Sequence, residues 1–475
     1  SYDGSTEGCK CRPDFVSVGA PQLRAARAKA LFCVAGYFGV LRVDFAFGKS
    51  GLTLDLPEGF RYRVLEAKSA LPLSDPQAAI ERALDSPVAG PPLARLAAGK
   101  KSAALSVCDI TRPVPNRDIL PPVLARLEAA GIARGNITVL IATGLHRPAS
   151  DAEIREICGD SIAREYRVLN HHARELSEHR HLGKTQSGTP VYIDARFVSA
   201  DLHITVGFIE PHLMLGFSGG RKLVAPGLAA AETISVLHSP KFMRDPRATE
   251  GSIEHNPLHY ELLEIARMAR HNFMIDVSLT QSRAQGKRSI AGVFAGEPVE
   301  AHRKGMEFVS RAMLETLEEP ADAVITSAAG YPLDLTFYQS IKGITASSHV
   351  VKAGGKILLL AACEEGTGGR EFTAMLKENP SDREFMRKIT DAPVVPDQWQ
   401  LEKLALVTAR NPVSFYVPGL PREYHASVWG KVHTSAHAAV KSITDSLPKN
   451  ARIALIPEGP YVLARAAANG HSLGV

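Results

Sequence analysis

From Ser102 onward, short apolar runs alternate with amphipathic stretches. SAALSVC (102–108) reads as a buried strand. Arg117 to Ala130 reads as a helix, with prolines near its start and Gly131 near its end. ITVLIA (137–142) is the next strand, Ser150 to Cys158 the next helix, and Leu202 to Phe208 another strand. AVIT (323–326), KILLLAA (356–362) and IALI (453–456) repeat the signature. Continuous apolar strands separated by helices mark parallel sheets buried on both faces. Further upstream, VDFAFGKSGLTLDLPEG begins at Val43 and reads as a hairpin turning at Gly48–Gly51.

The helical stretch Pro298 to Leu317 ends in Glu318-Glu319-Pro320, and a fresh strand follows. That places a boundary near residues 310–320. The expected fold is α/β with two lobes, each a mostly parallel sheet flanked by helices, and an active site in the cleft between them. Residues 41–315 form the first domain in this reading and 316–475 the second. Residues 1–40 read as an extension, poorly ordered or non-essential. The length of 475 residues suits such a division.

Composition narrows the partners. Fifty-five basic against 50 acidic residues leave a formal charge of +5, too small an excess to argue for nucleic acid. It leaves room for a local anion site. The six cysteines (Cys9, Cys11, Cys33, Cys108, Cys158 and Cys363) are dispersed, with no zinc-type pairing. That usage fits a reduced, cytoplasmic setting. The apolar segment Ala30 to Leu41 follows basic residues and faintly imitates a signal peptide. It falls short of the roughly 18–20 apolar residues of a membrane span, so no membrane is expected.

Unusual polar residues sit just after four of the strands. These are Asp109-Ile110-Thr111-Arg112-Pro113, Gly144-Leu145-His146-Arg147-Pro148, Glu210-Pro211-His212 and Tyr331-Pro332-Leu333-Asp334. In open parallel sheets, ligands bind at the carboxyl ends of strands, so four such clusters point to one cleft. Each alone has an ordinary reading. Asp109 and Arg112 suit a turn and its salt bridge, and His146 and His212 suit loop or capping histidines.

Gly216-Phe217-Ser218-Gly219-Gly220-Arg221-Lys222 is the most informative segment. Paired glycines let backbone approach a ligand, and Ser218, Arg221, Lys222 and bare N–H groups suit a phosphate. It lacks Walker spacing, and no dinucleotide fingerprint follows the early strands. The other reading is a glycine-rich turn with solvated basic residues. Lys222 beside Arg221 is also a candidate nucleophile for covalent attachment. His238, in SVLHSP, is a candidate metal ligand. In Tyr338-Gln339-Ser340-Ile341-Lys342-Gly343, Gln339 and Lys342 stand at i, i+3 and share a helix face that could hold a carboxylate. A solvated surface pair is the competing account.

Taken together, DITRPVP, TGLHRP, GFIEPHLMLGFSGGRKLVAPG, SVLHSP and YPLDLTFYQSIKG resemble the lactate racemase family of nickel-dependent enzymes. The resemblance runs from Val43 to the carboxyl end, is weaker after Gly343, and does not reach the first 40 residues. It implies a 2-hydroxy acid racemase or epimerase carrying a nickel-pincer nucleotide, the nickel complex of pyridinium-3,5-bisthiocarboxylic acid mononucleotide. By motif, Lys222 would tether the cofactor and His238 would bind nickel. A square-planar site with one imidazole suits Ni(II). His146 and His212 would be the acid/base pair. Arg112, Tyr338, Gln339 and Lys342 would hold the substrate. Asp109, Thr111, Ser218, Gly219, Gly220 and Arg221 would help bind the nucleotide. The implied chemistry moves a hydride from Cα and back, with a transient 2-keto acid. The implied partners are a small 2-hydroxy acid and the enzymes that mature the cofactor. Two rivals remain at this point: a nicotinamide-type dehydrogenase, and a non-catalytic α/β protein that binds a phosphorylated ligand.

Overall fold

Two six-stranded sheets carry the chain, and each has helices on both faces. The computed structural model describes residues 41–280 and 288–467. The extension 1–40, with Cys9, Cys11 and Cys33, lies outside the described residues, as does nearly all of the Ala30–Leu41 segment.

The first sheet runs Ile290–Gly296, Phe273–Leu279, Leu202–Phe208, Ala103–Cys108, Ile137–Ala142, Arg167–Asn170. All neighbours are parallel except the antiparallel edge strand Ile290–Gly296. Every residue of Ala103–Cys108 and Leu202–Phe208 is buried, as the apolar runs require. The two faces pack separately. Leu105, Val107, Val139 and Ile141 enter one core, while Ala104 and Leu140 enter the other. That is the two-residue period of a strand expressed as two layers of packing.

The second sheet runs Lys431–Val432, Val413–Tyr416, Val351–Leu360, Ala321–Ser327, Arg452–Ile456, Arg61–Val64, and is parallel throughout. Its residues alternate in the same way: Val324, Ile357 and Leu359 face one core, and Ala323, Ile325, Leu358 and Leu360 the other. The expected hairpin forms as Leu41–Phe45 against Leu52–Leu56. It packs with the second sheet, and the strand after it, Arg61–Val64, is that sheet's edge. The second lobe therefore takes its first pieces from the stretch that precedes the first lobe.

The helices follow their signals. Asp151–Cys158 is capped by Ser150 and Glu153, each bonding the other's backbone N–H. The expected helix from Pro298 stops at Met313 instead of Leu317. Leu314–Leu317 turns extended and pairs in parallel with Leu463–Ala466 near the end of the chain. Pairing with a segment about 150 residues away outweighs local helical preference, so periodicity alone misplaces this boundary.

The order of the first sheet places its reversal point between Ala103–Cys108 and Leu202–Phe208. Successive strands add on one side, then on the other. The crevice at the carboxyl ends of those two strands is where such a sheet binds ligands.

The fourth polar cluster has a structural role. Asp334 is buried, and its Oδ2 accepts the backbone N–H groups of Gly48 (2.6 Å) and Ala362 (3.0 Å). It ties the hairpin turn to the second sheet. Tyr331 is half exposed, with Lys49 over its ring. Asp334→Ala would leave two donors unpaired. It should destabilise the protein by about 1–3 kcal/mol, read as a lower urea midpoint.

Candidate active site

The other three clusters meet in one cavity of about 590 Å³ between the lobes. That is the size of a small-molecule site. The first lobe contributes Asp109, Thr111, Arg112, His146, His212, Ser218, Gly219, Lys222 and His238. The second contributes Tyr338, Gln339 and Lys342 from the helix Phe337–Ser348.

Three cations dominate the electrostatics. Burial, then the charge of Arg112, lowers the Lys222 amine to about 7. Burial and Arg112 likewise lower Lys342 to about 8, against the pull of Glu210 and Glu250. His212 is pushed well below its ordinary value by burial and then by Lys222, Arg112 and Lys342. Burial and like charges gathered in one cleft favour neutral forms and attract an anion such as a carboxylate or phosphate.

The two histidines are held differently. Burial alone would raise the Asp109 carboxyl. Hydrogen bonds from His146 and Thr111 outweigh it and hold the group below the usual carboxylate range. His146 Nδ1 donates to Asp109 Oδ2 at 2.7 Å, and Thr111 Oγ1 donates to Oδ1 at 2.6 Å. Asp109 and Thr111, expected to serve a nucleotide, both line the cavity, and Asp109, held by Thr111, also orients His146. His212 instead accepts at Nδ1 from the backbone N–H of Met214 (3.4 Å).

His238 closes the helix Ala231–Leu237. Its Nδ1 donates to the Ile234 carbonyl at 2.8 Å, and its ring lies 4.5 Å from that of Trp399. Burial lowers it to about 4, so the ring is neutral and Nε2 keeps its lone pair. This is the state of a metal-binding imidazole. Among the described residues no group of three or more His, Cys, Asp or Glu could hold a metal ion. A metal at His238 would need its other ligands from a bound molecule. The near-neutral Lys222 amine, the bare Nε2 of His238 and the surrounding cations together fit an anionic, metal-bearing cofactor that couples to an amine.

Part of the glycine-rich segment turns inward. Arg221 is buried, and its Nη1 and Nη2 donate to His302 Nδ1 (3.1 Å) and the Leu215 carbonyl (3.0 Å). Gly220 gives its N–H to Asp276 Oδ2 at 2.7 Å. Ser218 Oγ donates to the Phe208 carbonyl and accepts from Glu210 N. Neither Gly220 nor Arg221 lines the cavity. The expectation that they bind the nucleotide directly is corrected: they build the turn that presents Lys222. Burying a guanidinium and a carboxylate requires internal partners, and these take the groups that a phosphate would have used.

The structure adds residues that the sequence reading missed. Arg174, Glu371, Asp397, Trp399 and Gln400 also line the cavity. Tyr338 hydrogen-bonds Asp397, and its hydroxyl is raised by burial and by that carboxylate. The missed signal was Trp399, one of only two tryptophans, at the start of the helix Gln398–Thr408 after a proline-rich loop.

The lowered Lys222 pKa has a measurable sign. Between about 7 and the ordinary 10.5, the unfolded chain holds a proton that the folded one lacks. Stability should therefore rise with pH across that window. Lys222→Met should be more stable than the parent at pH 7 and lose that advantage as pH approaches 10.5, read from urea midpoints.

Fold and site thus define a two-lobed α/β protein with an anion-attracting cleft, a near-neutral lysine, a metal-competent histidine and two further histidines. Residues 47–251 match the lactate racemase N-terminal domain, and residues 316–464 the lactate racemase C-terminal domain. A lactate racemase of Thermoanaerobacterium thermosaccharolyticum is 34% identical over 89% of this chain and 99% of its own. One from Lactiplantibacillus plantarum is 32% identical over 82% of this chain and 91% of its own. The solved lactate racemase apoprotein of T. thermosaccharolyticum superposes with a TM-score of 0.82 at 33% identity, covering 90% of this chain and all of that one. A Thermotoga maritima structure at 16% identity and TM-score 0.58, covering 84% of this chain and 99% of its own, shares the fold. The chain belongs to the lactate racemase family.

Proposed function

We propose that this protein is a racemase or epimerase of a small 2-hydroxy acid, with lactate, the acid in its relatives' names, the first candidate. The observation that carries the reading is the convergence of Lys222, His238, His146 and His212 on one cation-lined cavity. Its cofactor is a nickel-pincer nucleotide: Lys222 offers the amine for the covalent tether and His238 Nε2 the protein ligand to nickel. When bound, that group supplies a two-electron acceptor and donor for the Cα–H bond.

The chain's own residues do the rest. Arg112 and Lys342 offer charge to the substrate carboxylate, and Gln339 offers its amide. His146 and His212 move the hydroxyl proton, one as base and the other as acid. Leu213, Met214, Ile234, Leu237 and Trp399 form an apolar wall that limits water around the reacting carbon. The enzymes that mature the cofactor are the partners this reading requires.

Two experiments test it. Protein produced with the maturation enzymes should carry nickel and a covalent adduct. Lys222→Ala should lose the adduct mass, and His238→Ala should lower nickel occupancy after dialysis. An unchanged adduct and unchanged nickel in these variants would refute the assignment. Loaded protein should racemise L-lactate or another short 2-hydroxy acid, followed by chiral chromatography. The His146→Ala, His212→Ala double variant should lose on the order of 10²–10⁴ in rate or more. Near-parental turnover by it would exclude these histidines.

A further inference from the structure

We infer that His146 and His212 are an unequal pair, held in opposite tautomers by Asp109 and by the Met214 backbone N–H, so that the free protein is preset for one enantiomer. The inference rests on the proposed racemase reading and goes beyond it, because a two-base mechanism does not require that the bases differ.

Donors and acceptors fix the two tautomers. An ionised Asp109 carboxylate can only accept, so His146 Nδ1 must carry a proton. A neutral His146 then presents a bare Nε2. A backbone N–H can only donate, so His212 Nδ1 must accept, and a neutral His212 carries its proton on Nε2. The surroundings agree. His146 has Asp109 behind it and Asp397 within electrostatic range, whereas His212 faces Arg112, Lys222, Lys342 and His238. An added proton on His212 would sit on Nδ1, against the Met214 N–H. An added proton on His146 goes to Nε2 and leaves the Asp109 bond intact.

The consequence is directional. The enantiomer whose hydroxyl meets His146 finds a base ready: its O–H proton passes to His146 Nε2. Once the Cα–H bond is remade on the other face, the alkoxide oxygen takes its proton from His212 Nε2, which leaves that ring an imidazolate facing Arg112, Lys222 and Lys342. His146 then releases its extra proton to solvent, and His212 recovers one from solvent, so the pair is restored. The mirror enantiomer needs the opposite arrangement, which the free protein holds in smaller amount. Asp109 and Met214 act here as positioning groups; neither moves a proton.

The first test uses the protein without cofactor. Nitrogen-15 spectra of histidine-labelled protein at pH 7.5–8, assigned by loss of signals in His146→Gln and His212→Gln, report the tautomer of each ring. The expected result is Nδ1–H for His146 and Nε2–H for His212. In Asp109→Asn the amide can donate to Nδ1, and His146 should move toward Nε2–H, as when a carboxylate behind a catalytic histidine is replaced by an amide. The same tautomer in both rings, or an unmoved His146 in Asp109→Asn, overturns the inference. The second test uses loaded protein and the two lactate enantiomers. Since they are equal in energy, kcat/KM must match, but kcat and KM should each differ between them by a shared factor. Asp109→Asn should lower kcat by on the order of 10²–10⁴. Equal kcat and equal KM for the two enantiomers would overturn the presetting. Opposite tautomers with no turnover of any 2-hydroxy acid would instead leave the pairing intact and remove the racemase reading.

Discussion

The burial of Lys222 and Lys342 beside Arg112 in one cleft governs this site. Solvated at the surface, three such cations would scarcely feel one another. Between two lobes, burial first and the neighbouring charges second lower the proton affinity of Lys222, Lys342 and His212, so a lysine approaches neutrality near pH 7 and His212 stays uncharged. A neutral amine is a nucleophile, and a neutral imidazole is a base or a ligand. An arriving carboxylate or phosphate relieves the repulsion, so ligand charge and site charge are coupled.

Such a cleft needs a rigid floor. The turn that carries Lys222 has Gly219 at φ +86, where a Cβ would come within 2.2 Å of Asp276 Oδ2. Asp276 is buried and raised to about 7 by that burial, yet it accepts the Gly220 N–H. Arg221 beneath it is clamped through His302, whose Nε2 donates to the Ser218 carbonyl at 2.7 Å. The polar groups under the turn are committed to holding it, and its outer face is left for a ligand. Their cost of burial is offset by hydrogen bonds inside the lobe rather than at the site.

The lobes are joined by a second polar network on the side of His238. Lys403 Nζ, buried in the helix Gln398–Thr408, donates to the carbonyls of Met243 (3.0 Å) and Ala248 (2.7 Å). Arg244 pairs with the buried Glu402 at 2.9 Å, and His349 with Glu250 at 2.8 Å. These bonds cross from the segment after His238 to the helices that carry Trp399 and Lys342. The metal-competent histidine and the second-lobe side of the cavity are therefore held in one frame.

Local pattern determined the elements. Buried strands such as Leu202–Phe208 show as unbroken apolar runs because both faces are covered, and Ser150 with Glu153 marks a helix start by its own hydrogen bonds. Strand ends followed by Asp109, His146 and His212 were legible as a site because a parallel sheet gathers its carboxyl ends on one edge. What pattern could not supply were choices made by distant partners. Leu314–Leu317 is a strand because Leu463–Ala466 lies beside it. Asp334 is a tether, and Arg221 a buried strut, because each meets acceptors or donors remote in the chain. The role of Asp109 depends on a histidine 37 residues away, and Trp399 reaches His238 only once the lobes meet. Residue type sets what a side chain is able to do, but burial and hydrogen-bond partners set its charge and its lone pairs, and only the tertiary structure assigns those.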